Sequence, residues 1–444
     1  MSSFQQEDVA HSAELAVAID HEALPTLYRD PSFLGMAATQ FLGAFNDNLF
    51  KQLILLLATP SLIESTTSSA DDKQGPAQAV FSAGFLIFSG FAGYLSDRFS
   101  KRPIVILSKV AEIVVMLMGL VAFLFYDSVG FEGLLIVLFL MGTQSAFFGP
   151  SKYGILPELL RARDLPRANG VFLMLTFVAI IFGTALAGRL WNITGGQIWW
   201  AQAICVLIAV VGTLTSLTVR RLPAAQPNLR HQWSAWGLSR DVRQMLSSDR
   251  ELLWALAAST MFWMVGGMVL LAVNALGKTQ LGLEEAATSN MAASIGAGIA
   301  LGCIAGGYLS KGRVRRSLVT AGAVGTVVTL AILSLPGPHN GHLLGYQNSI
   351  PVLILMGASA GVFVVPVQVL LQSRPPKEQK GRMIGAMNQF QWVGVIAGAL
   401  VFDVCAAVLD ATGGPRCAIF GVTAALMLPV AILYRPRNQS LVEA

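Results

Sequence analysis

An all-α membrane protein of twelve transmembrane helices, built as two six-helix halves in the same orientation, is the fold class this sequence predicts. Three observations carry it: a composition too apolar for water, twelve apolar stretches of membrane-spanning length, and a motif that recurs half a chain later. Of 444 residues, 54% are hydrophobic and 12% charged, with a mean hydropathy of +0.62. A soluble protein carries about 25% charged residues. Half that share, with 43 glycines, leaves too little polar surface to coat a globule in water.

About 20 mostly apolar residues cross the hydrocarbon as a helix. Stretches of that kind begin near Phe33, Gln78, Pro103, Glu132, Gly170, Trp199, Leu252, Thr288, Ser317, Ile350, Met383 and Arg416. They are long and continuous, unlike the alternating segments of about ten residues in a β-barrel. Ahead of the first, Glu7, Asp8, Glu14, Asp20 and Glu22 precede the first basic residue, Arg29. A signal peptide needs a positive start and an apolar core, so this tail is expected to stay in the cytoplasm.

The connections alternate in charge. One set holds Arg98, Lys101 and Arg102, then Lys152, Arg161, Arg163 and Arg167, then Arg220, Arg221, Arg230, Arg240, Arg243 and Arg250. It continues with Lys311, Arg313, Arg315 and Arg316, with Arg374, Lys377, Lys380 and Arg382, and with Arg435 and Arg437. With Arg29 this set has about two dozen of the 30 basic residues, and by the positive-inside rule it is cytoplasmic, as are both termini. The opposite set has Lys73, Lys278 and Arg416 beside Asp71, Asp72, Glu284 and Glu285. The longest connection divides the spans six and six. The expected organisation is a cytoplasmic tail (1–32), a first half (33–219), a cytoplasmic linker (220–251), a second half (252–435) and a short tail (436–444). In the linker, Trp233, Trp236, Leu238 and Met245 among arginines fit either an interfacial helix or a disordered tether.

The net charge of +5 and pI near 9.1 do not indicate nucleic acid, because the basic residues stand singly between apolar stretches, as topology-setting charges do. Cys205, Cys303, Cys405 and Cys417 lie in apolar runs, and His11, His21, His231, His339 and His342 in the tail or loops. Their spacing matches neither a metal site nor a disulfide framework, so no metal and no cofactor is expected.

The repeat pairs Gly93-Tyr94-Leu95-Ser96-Asp97-Arg98-Phe99-Ser100-Lys101-Arg102 with Gly307-Tyr308-Leu309-Ser310-Lys311-Gly312-Arg313-Val314-Arg315-Arg316. A second echo pairs Phe147-Phe148-Gly149-Pro150 with Phe363-Val364-Val365-Pro366 at nearly the same offset. Parallel repeats of this kind place the substrate site between the halves and alternate its exposure by rocking one half against the other.

Gly93-x-x-x-Asp97-Arg98 with Lys101-Arg102 resembles the loop 2–3 signature of the major facilitator superfamily, with Ser100 in place of the usual glycine and Lys311 in place of the aspartate in the second copy. A closer resemblance is carried by the run from Thr39 through Asn46-Asp47-Asn48 to Lys51, by Phe147 to Glu158, and by Val365 to Gln372. These are similar to the lysophospholipid transporter branch, including the transporter portion of bifunctional acylglycerophosphoethanolamine acyltransferases. The resemblance implies the major facilitator fold, a bacterial inner membrane location and a lysophospholipid substrate. With the chain ending at Ala444, it also implies that any acyltransferase partner is a separate protein. A monomer is expected.

Ionisable residues inside spans are informative because each costs about 2.5–3.5 kcal/mol at mid-helix on insertion scales. Asp47 and Lys51, four residues apart, share a helical face, and Gln40, Gly43, Asp47 and Lys51 form a stripe. Either Asp47 binds a polar or cationic head group or a coupling cation, or the two charges merely neutralise each other. Asn46 and Asn48 add polar cost that favours function, and the resemblance places this motif in the transport pathway. Lys109 and Glu112, three apart, fit a structural pair. Arg189 and Asp403 fit either a gate pair across helices or head-group contacts. The resemblance makes Asp97, Arg98, Lys101 and Arg102 an inner gate latch. Thr143, Gln144, Gln368, Gln372, Asn388, Gln389 and Gln391 are further polar candidates, of which Gln144, Gln368 and Asn388 are assigned to the pathway. Pro150 and Pro366 are expected to kink or end their helices, Gly183 to Gly188 to pack closely, and Trp254, Phe262 and Trp263 to face lipid or core.

A sparsely charged path suits a substrate with a polar head and an acyl tail. Burying a CH₂ gains about 0.8 kcal/mol, so lifting a 16-carbon tail from lipid costs on the order of 12 kcal/mol. A tail left in the bilayer while the head crosses avoids that cost. The first reading is a facilitator moving lysophospholipid from outer to inner leaflet for re-acylation. The alternative is a cation-coupled transporter of an amphipathic drug or metabolite. An enzyme would need a nucleophile, base or metal cluster, and none stands at recognisable spacing. A binding protein that does not transport is the remaining class.

Overall fold

The computed structural model describes residues 25–60, 72–160, 164–223, 240–310, 313–338, 341–375, 380–437 and 439–440. The acidic N-terminal tail and linker residues Trp233, Trp236 and Leu238 lie outside them, as do the side chains of Asp97 and Gln372. Twelve long helices follow in order: α1 Pro31–Ala58, α2 Gln74–Arg98, α3 Lys101–Leu124, α4 Tyr126–Gly154, α5 Leu165–Ile193 and α6 Ile198–Leu217. Then come α7 Arg250–Ala275, α8 Glu285–Ser310, α9 Arg316–Leu333, α10 Gly345–Ser373, α11 Lys380–Thr412 and α12 Ala418–Leu433. Ten are long and apolar enough to cross a membrane; α12 is apolar but only 16 residues long. α1 has the length, 28 residues, but its polar stretch from Gln40 to Gln52 holds its hydropathy down.

Local chemistry sets several boundaries. The Asp30 side chain accepts from the Ser32 amide ahead of α1, with Pro31 opening the helix. Asp249 accepts from the Glu251 and Leu252 amides ahead of α7. The first helix of each half thus begins on an aspartate N-cap, which satisfies amides that have no partner within the helix. Gly130, with φ of +66°, breaks the first turn of α4 from the rest. Neither Pro150 nor Pro366 ends its helix: α4 runs on to Gly154 and α10 to Ser373. The linker contains a short helix, Arg240–Ser248, which buries Val242 and Leu246. Arg313–Val314 pairs antiparallel with Gln439–Ser440, joining the C-terminal tail to the α8–α9 connection.

Packing repeats between the halves. In the first, α1 lies against α5 and α6, and α4 against α2 and α3, with α3 also on α6. In the second, α7 lies against α11 and α12, and α10 against α8 and α9, with α9 also on α12. The halves meet chiefly through α2 with α11 and α5 with α8. Outward faces are apolar: Leu107, Val114 and Val121 on α3, Leu207 and Leu214 on α6, and Leu400, Val404 and Val408 on α11 are exposed, as a lipid-facing surface requires. Trp254 and Trp263 are also exposed, while Phe262 packs on Phe363.

Small residues bring helices into backbone contact. A Cβ at Gly298 of α8 would lie 2.1 Å from the Ile354 carbonyl oxygen of α10, one at Gly302 2.1 Å from that of Ala358, and one at Gly357 2.3 Å from that of Ile295. Gly142 and Phe81 repeat this at α4–α2 at 2.2 Å. In the Gly183–Gly188 run, Gly183 meets the Phe45 carbonyl of α1 at 2.6 Å and Gly188 the Glu285 carbonyl at the start of α8 at 2.1 Å. With no hydrophobic drive between helices in lipid, such close contact supplies the association. Gly302→Leu should therefore force α8 from α10 and destabilise the protein by about 1–3 kcal/mol or more. Gly307→Leu, where nothing lies within 4 Å, should leave thermal unfolding in detergent unchanged.

Candidate functional site

α1 carries the polar groups, and its neighbours receive them. Gln40 Nε2 donates to Thr176 Oγ1 of α5 at 2.6 Å. Asn46 Nδ2 donates to Glu112 Oε1 of α3 at 2.9 Å. Asp47 Oδ2 accepts from Ser145 Oγ of α4 at 2.7 Å. Lys51 Nζ lies 5.4 Å from the centre of the Phe81 ring of α2, and Gln52 Nε2 donates to Asn274 Oδ1 of α7 at 3.0 Å. Asn48 Nδ2 turns back to the Ala44 carbonyl at 2.8 Å. One helix is thereby tied to five others. In hydrocarbon an unbonded polar group costs several kcal/mol, which explains the wrapping.

Asp47 and Lys51 form no ion pair with each other. Asp47 is half-buried; one oxygen takes the Ser145 bond, and the other, Oδ1, is buried without a hydrogen-bond partner. The Gln40 Oε1, Asn46 Oδ1 and Gln144 Oε1 oxygens are in the same condition. Gln144 Nε2 donates to Ser145 Oγ at 3.2 Å and so joins the Asp47 group. Behind α1, Lys109 and Glu112 pair directly, each side chain 1% exposed. The Lys109 ammonium fits against Gly43 of α1 and Gly212 of α6, where an added Cβ would lie 3.2 and 3.1 Å from Nζ.

The other half contributes a neutral group. Gln391 Nε2 donates to Ser259 Oγ at 3.1 Å, and Gln368 Nε2 approaches the same hydroxyl at 3.5 Å. Asn388 is half-buried on α11. Gln144 thus joins Asp47 in a charged group of the first half and Gln368 belongs to a neutral group of the second, and no described hydrogen bond joins the two.

The expected gate residues separate. Arg98 donates to the Tyr94 hydroxyl, Lys101 pairs with Glu158, and Arg102 donates to the Val219 and Leu217 carbonyls at the end of α6. A helix C-terminus, with its unpaired carbonyls, favours a cation. These contacts stay within the first half. Arg189 is exposed on α5, whereas Asp403 packs over Gly75 of α2, so the structure does not bring this pair together.

A second polar cluster, missed in the sequence, joins the halves at the end away from the chain termini. Gln52 binds Asn274, Asn274 Nδ2 donates to Gln74 Oε1 at 2.9 Å, and the Gln74 amide and side chain donate to Asp72 at 3.0 and 3.2 Å. Lys278, expected in a loop, is 7% exposed. Its Nζ donates to the Leu56 carbonyl at 2.7 Å and lies 3.4 Å from Glu285 and 5.5 Å from the Trp191 ring centre. It sits in a π-helical turn, Leu276–Gln280, from which Thr279 also donates to the Pro60 carbonyl at 2.9 Å. An asparagine closing the apolar run of α7, four residues before a lysine, was the available signal. Burial pushes the Asp72 carboxyl up to about 6, with Asp403 adding to the shift and hydrogen bonds from Gln74 and the charge of Arg416 opposing it.

Comparison with known proteins agrees with this arrangement. The family model of the Major Facilitator Superfamily matches residues 34–399. The Lysophospholipid transporter LplT of Yersinia pestis (strain Pestoides F) is 28% identical over 358 residues, covering 77% of this chain and 79% of the relative. Among solved structures, the nucleoside transporter NupG (D323A mutant) superposes with a TM-score of 0.64 at 13% identity, over 89% of this chain and 98% of that one. A bacterial homologue of the iron transporter ferroportin gives 0.63 at 15%, over 92% and 100%. Two six-helix halves packed by one repeated pattern, together with a family match across most of both, place this chain in the major facilitator superfamily, as a transporter rather than an enzyme.

Proposed function

We propose that the protein moves lysophospholipid from the outer to the inner leaflet of a bacterial inner membrane by alternating access, as a monomer with both termini cytoplasmic. The observation that supports this best is Asp47: a carboxylate on a membrane-length helix, with one oxygen bonded and the other unpartnered. A polar head would meet Asp47 with its amine and Lys51, one turn away, with its phosphate, while the acyl tail stays in lipid. The named relatives are lysophospholipid transporters. The neutral Ser259 group opposite leaves the path sparsely charged, as such a substrate needs.

In this reading the Gln52–Asn274–Gln74 and Lys278 contacts close the outer side, and their rupture admits substrate from the outer leaflet. The alternative, a cation-coupled carrier of an amphipathic drug or metabolite, draws on the same unpartnered Asp47 oxygen. Flipping of lysophosphatidylethanolamine in proteoliposomes tests the first reading. Flipping without an imposed gradient supports it, whereas transport of an amphipathic drug alone, dependent on a sodium or proton gradient, supports the alternative.

Three outcomes are expected. Asp47→Asn should lower flipping at least about tenfold, since a hydrogen bond to a charged group contributes about 1.5–3 kcal/mol. Membrane insertion should not fall, because a charge is removed. Asn274→Ala deprives Gln52 and Gln74 of their shared partner and should favour outer opening by about 1–3 kcal/mol. Faster outside labelling of a cysteine introduced at Ser82, with the four native cysteines replaced, would register it. Asp72 binds its proton more tightly when buried than when exposed, so acid favours the closed outer side. Between pH 7 and pH 5 the closed form should gain about tenfold relative to a form with Asp72 in water, and Asp72→Asn should abolish this dependence of labelling on pH.

A further inference from the structure

Each half ends in the same kind of strap. After α6 the chain crosses the start of α1, where the Arg220 amide donates to Ser32 Oγ at 3.1 Å and the Arg220 guanidinium pairs with the Asp30 cap. It then meets the α2–α3 connection, where Ser100 Oγ donates to the Leu222 carbonyl at 2.6 Å. After α12 the chain crosses the start of α7, where the Arg437 amide donates to Glu251 Oε1 at 2.9 Å. It then pairs with the α8–α9 connection, Gln439 opposite Val314 and Ser440 opposite Arg313. The repeat thus extends to the segment after each half, which fastens the connection that follows the Gly-Tyr-Leu-Ser motif.

The straps differ in what becomes of their charge. In the first, Asp30 neutralises Arg220, and Arg102 of the fastened connection lies on the Val219 and Leu217 carbonyls. In the second, both segments run from the Val314–Gln439 pair toward the membrane, one into α9 and the other back to the end of α12, and these two helices pack together. The antiparallel register therefore sets Arg315 and Arg316 of one segment beside Arg437 and Arg435 of the other, all four exposed. Among the described residues, none of Arg315, Arg435 and Arg437 is in an ion pair. Glu251, which the strap crosses, is already bonded to Arg374 at 2.9 Å. Like charges gathered this way repel unless an anion is shared among them.

We propose that Arg315, Arg316, Arg435 and Arg437 form a binding site for the head group of an anionic diacyl phospholipid, in the leaflet on the side of the chain termini. A guanidinium fork matches phosphate oxygens two at a time. The arginines stand where α9 and α12 enter the membrane, the depth at which lipid phosphates lie. Basic groups at such a surface select anionic head groups. A lipid bound here bridges the start of α9 and the end of α12 and so secures the strap. The site is separate from the Asp47 group and does not depend on which lipid is transported.

The test titrates the detergent-solubilised protein with phosphatidylglycerol or phosphatidylcholine of the same acyl chains and counts bound lipid by native mass spectrometry. The wild-type protein should prefer phosphatidylglycerol, and the preference should shrink as salt is added. Each arginine near such a surface is worth about fivefold, so Arg435→Gln with Arg437→Gln should weaken phosphatidylglycerol about 25-fold and leave phosphatidylcholine unchanged. Arg221→Gln with Arg243→Gln, two arginines exposed elsewhere, should change neither. All the replaced side chains are exposed, so the lipid-free variants should unfold at the wild-type temperature. Equal affinity of the wild type for the two lipids overturns the proposal. So does an equal loss in the two double variants, because the binding then belongs to the whole basic face. Displacement of phosphatidylglycerol by an equal concentration of inorganic phosphate makes this a site for free anions and also overturns it.

Discussion

Much of the architecture depends on one constraint: α1 carries six polar side chains between Gln40 and Gln52 through a region where water cannot bond them. Each finds at least one partner in protein, while single oxygens of Gln40, Asn46, Asp47 and Gln52 stay unpaired. Thr176, Glu112, Ser145, the Phe81 ring and Asn274 come from five different helices, so the need to bond α1 draws α2, α3, α4, α5 and α7 around it. The polar content that excludes α1 from the most apolar helices is what makes it the hub of its half.

Partners on this scale require near approach, and the glycines permit it. Gly43 and Gly212 leave room for the Lys109 ammonium, and Gly183 lets α5 reach the α1 backbone at Phe45. Across the halves, Gly75 and Gly188 allow α2 onto α11 and α5 onto α8. The second half uses the same device more densely between α8 and α10, and α7, the counterpart of α1, has no charged residue from Leu252 to Ala275. The two halves share a frame and differ in chemistry: one offers charged groups and the other a serine between two glutamines.

The cluster joining the halves obeys the same logic as the site. Asp72 can only accept from the Gln74 side chain while ionised, so Gln74 presents its carbonyl to Asn274, and Asn274 in turn presents its own to Gln52. A chain of amides is thus oriented from one carboxylate at the membrane edge. Lys278 adds a cation whose partners come from both halves. At that end the contacts that join the halves include a run of hydrogen bonds and the buried Lys278 ammonium, and such contacts exchange readily for water when they part.

Composition, span length, charge alternation and the Gly-Tyr-Leu-Ser repeat determined the helix count and the two halves and singled out the Asp47 stretch as polar, because hydrocarbon thickness and the cost of buried charge act on each segment independently of its neighbours. The pairing of side chains was decided only in three dimensions. Four-residue spacing suggested Asp47 with Lys51, yet Asp47 found Ser145, 98 residues away, and Lys51 found the face of Phe81. Arg189 and Asp403 looked alike at the outer end, yet one faces outward and the other packs over Gly75. Lys278 read as a loop residue because its neighbours Gly277, Thr279 and Gln280 are loop-like in isolation; a π-helical turn buries it. Local spacing fixes which groups share a helical face, but which face meets which neighbour depends on how the helices cross, and that is a property of the whole bundle.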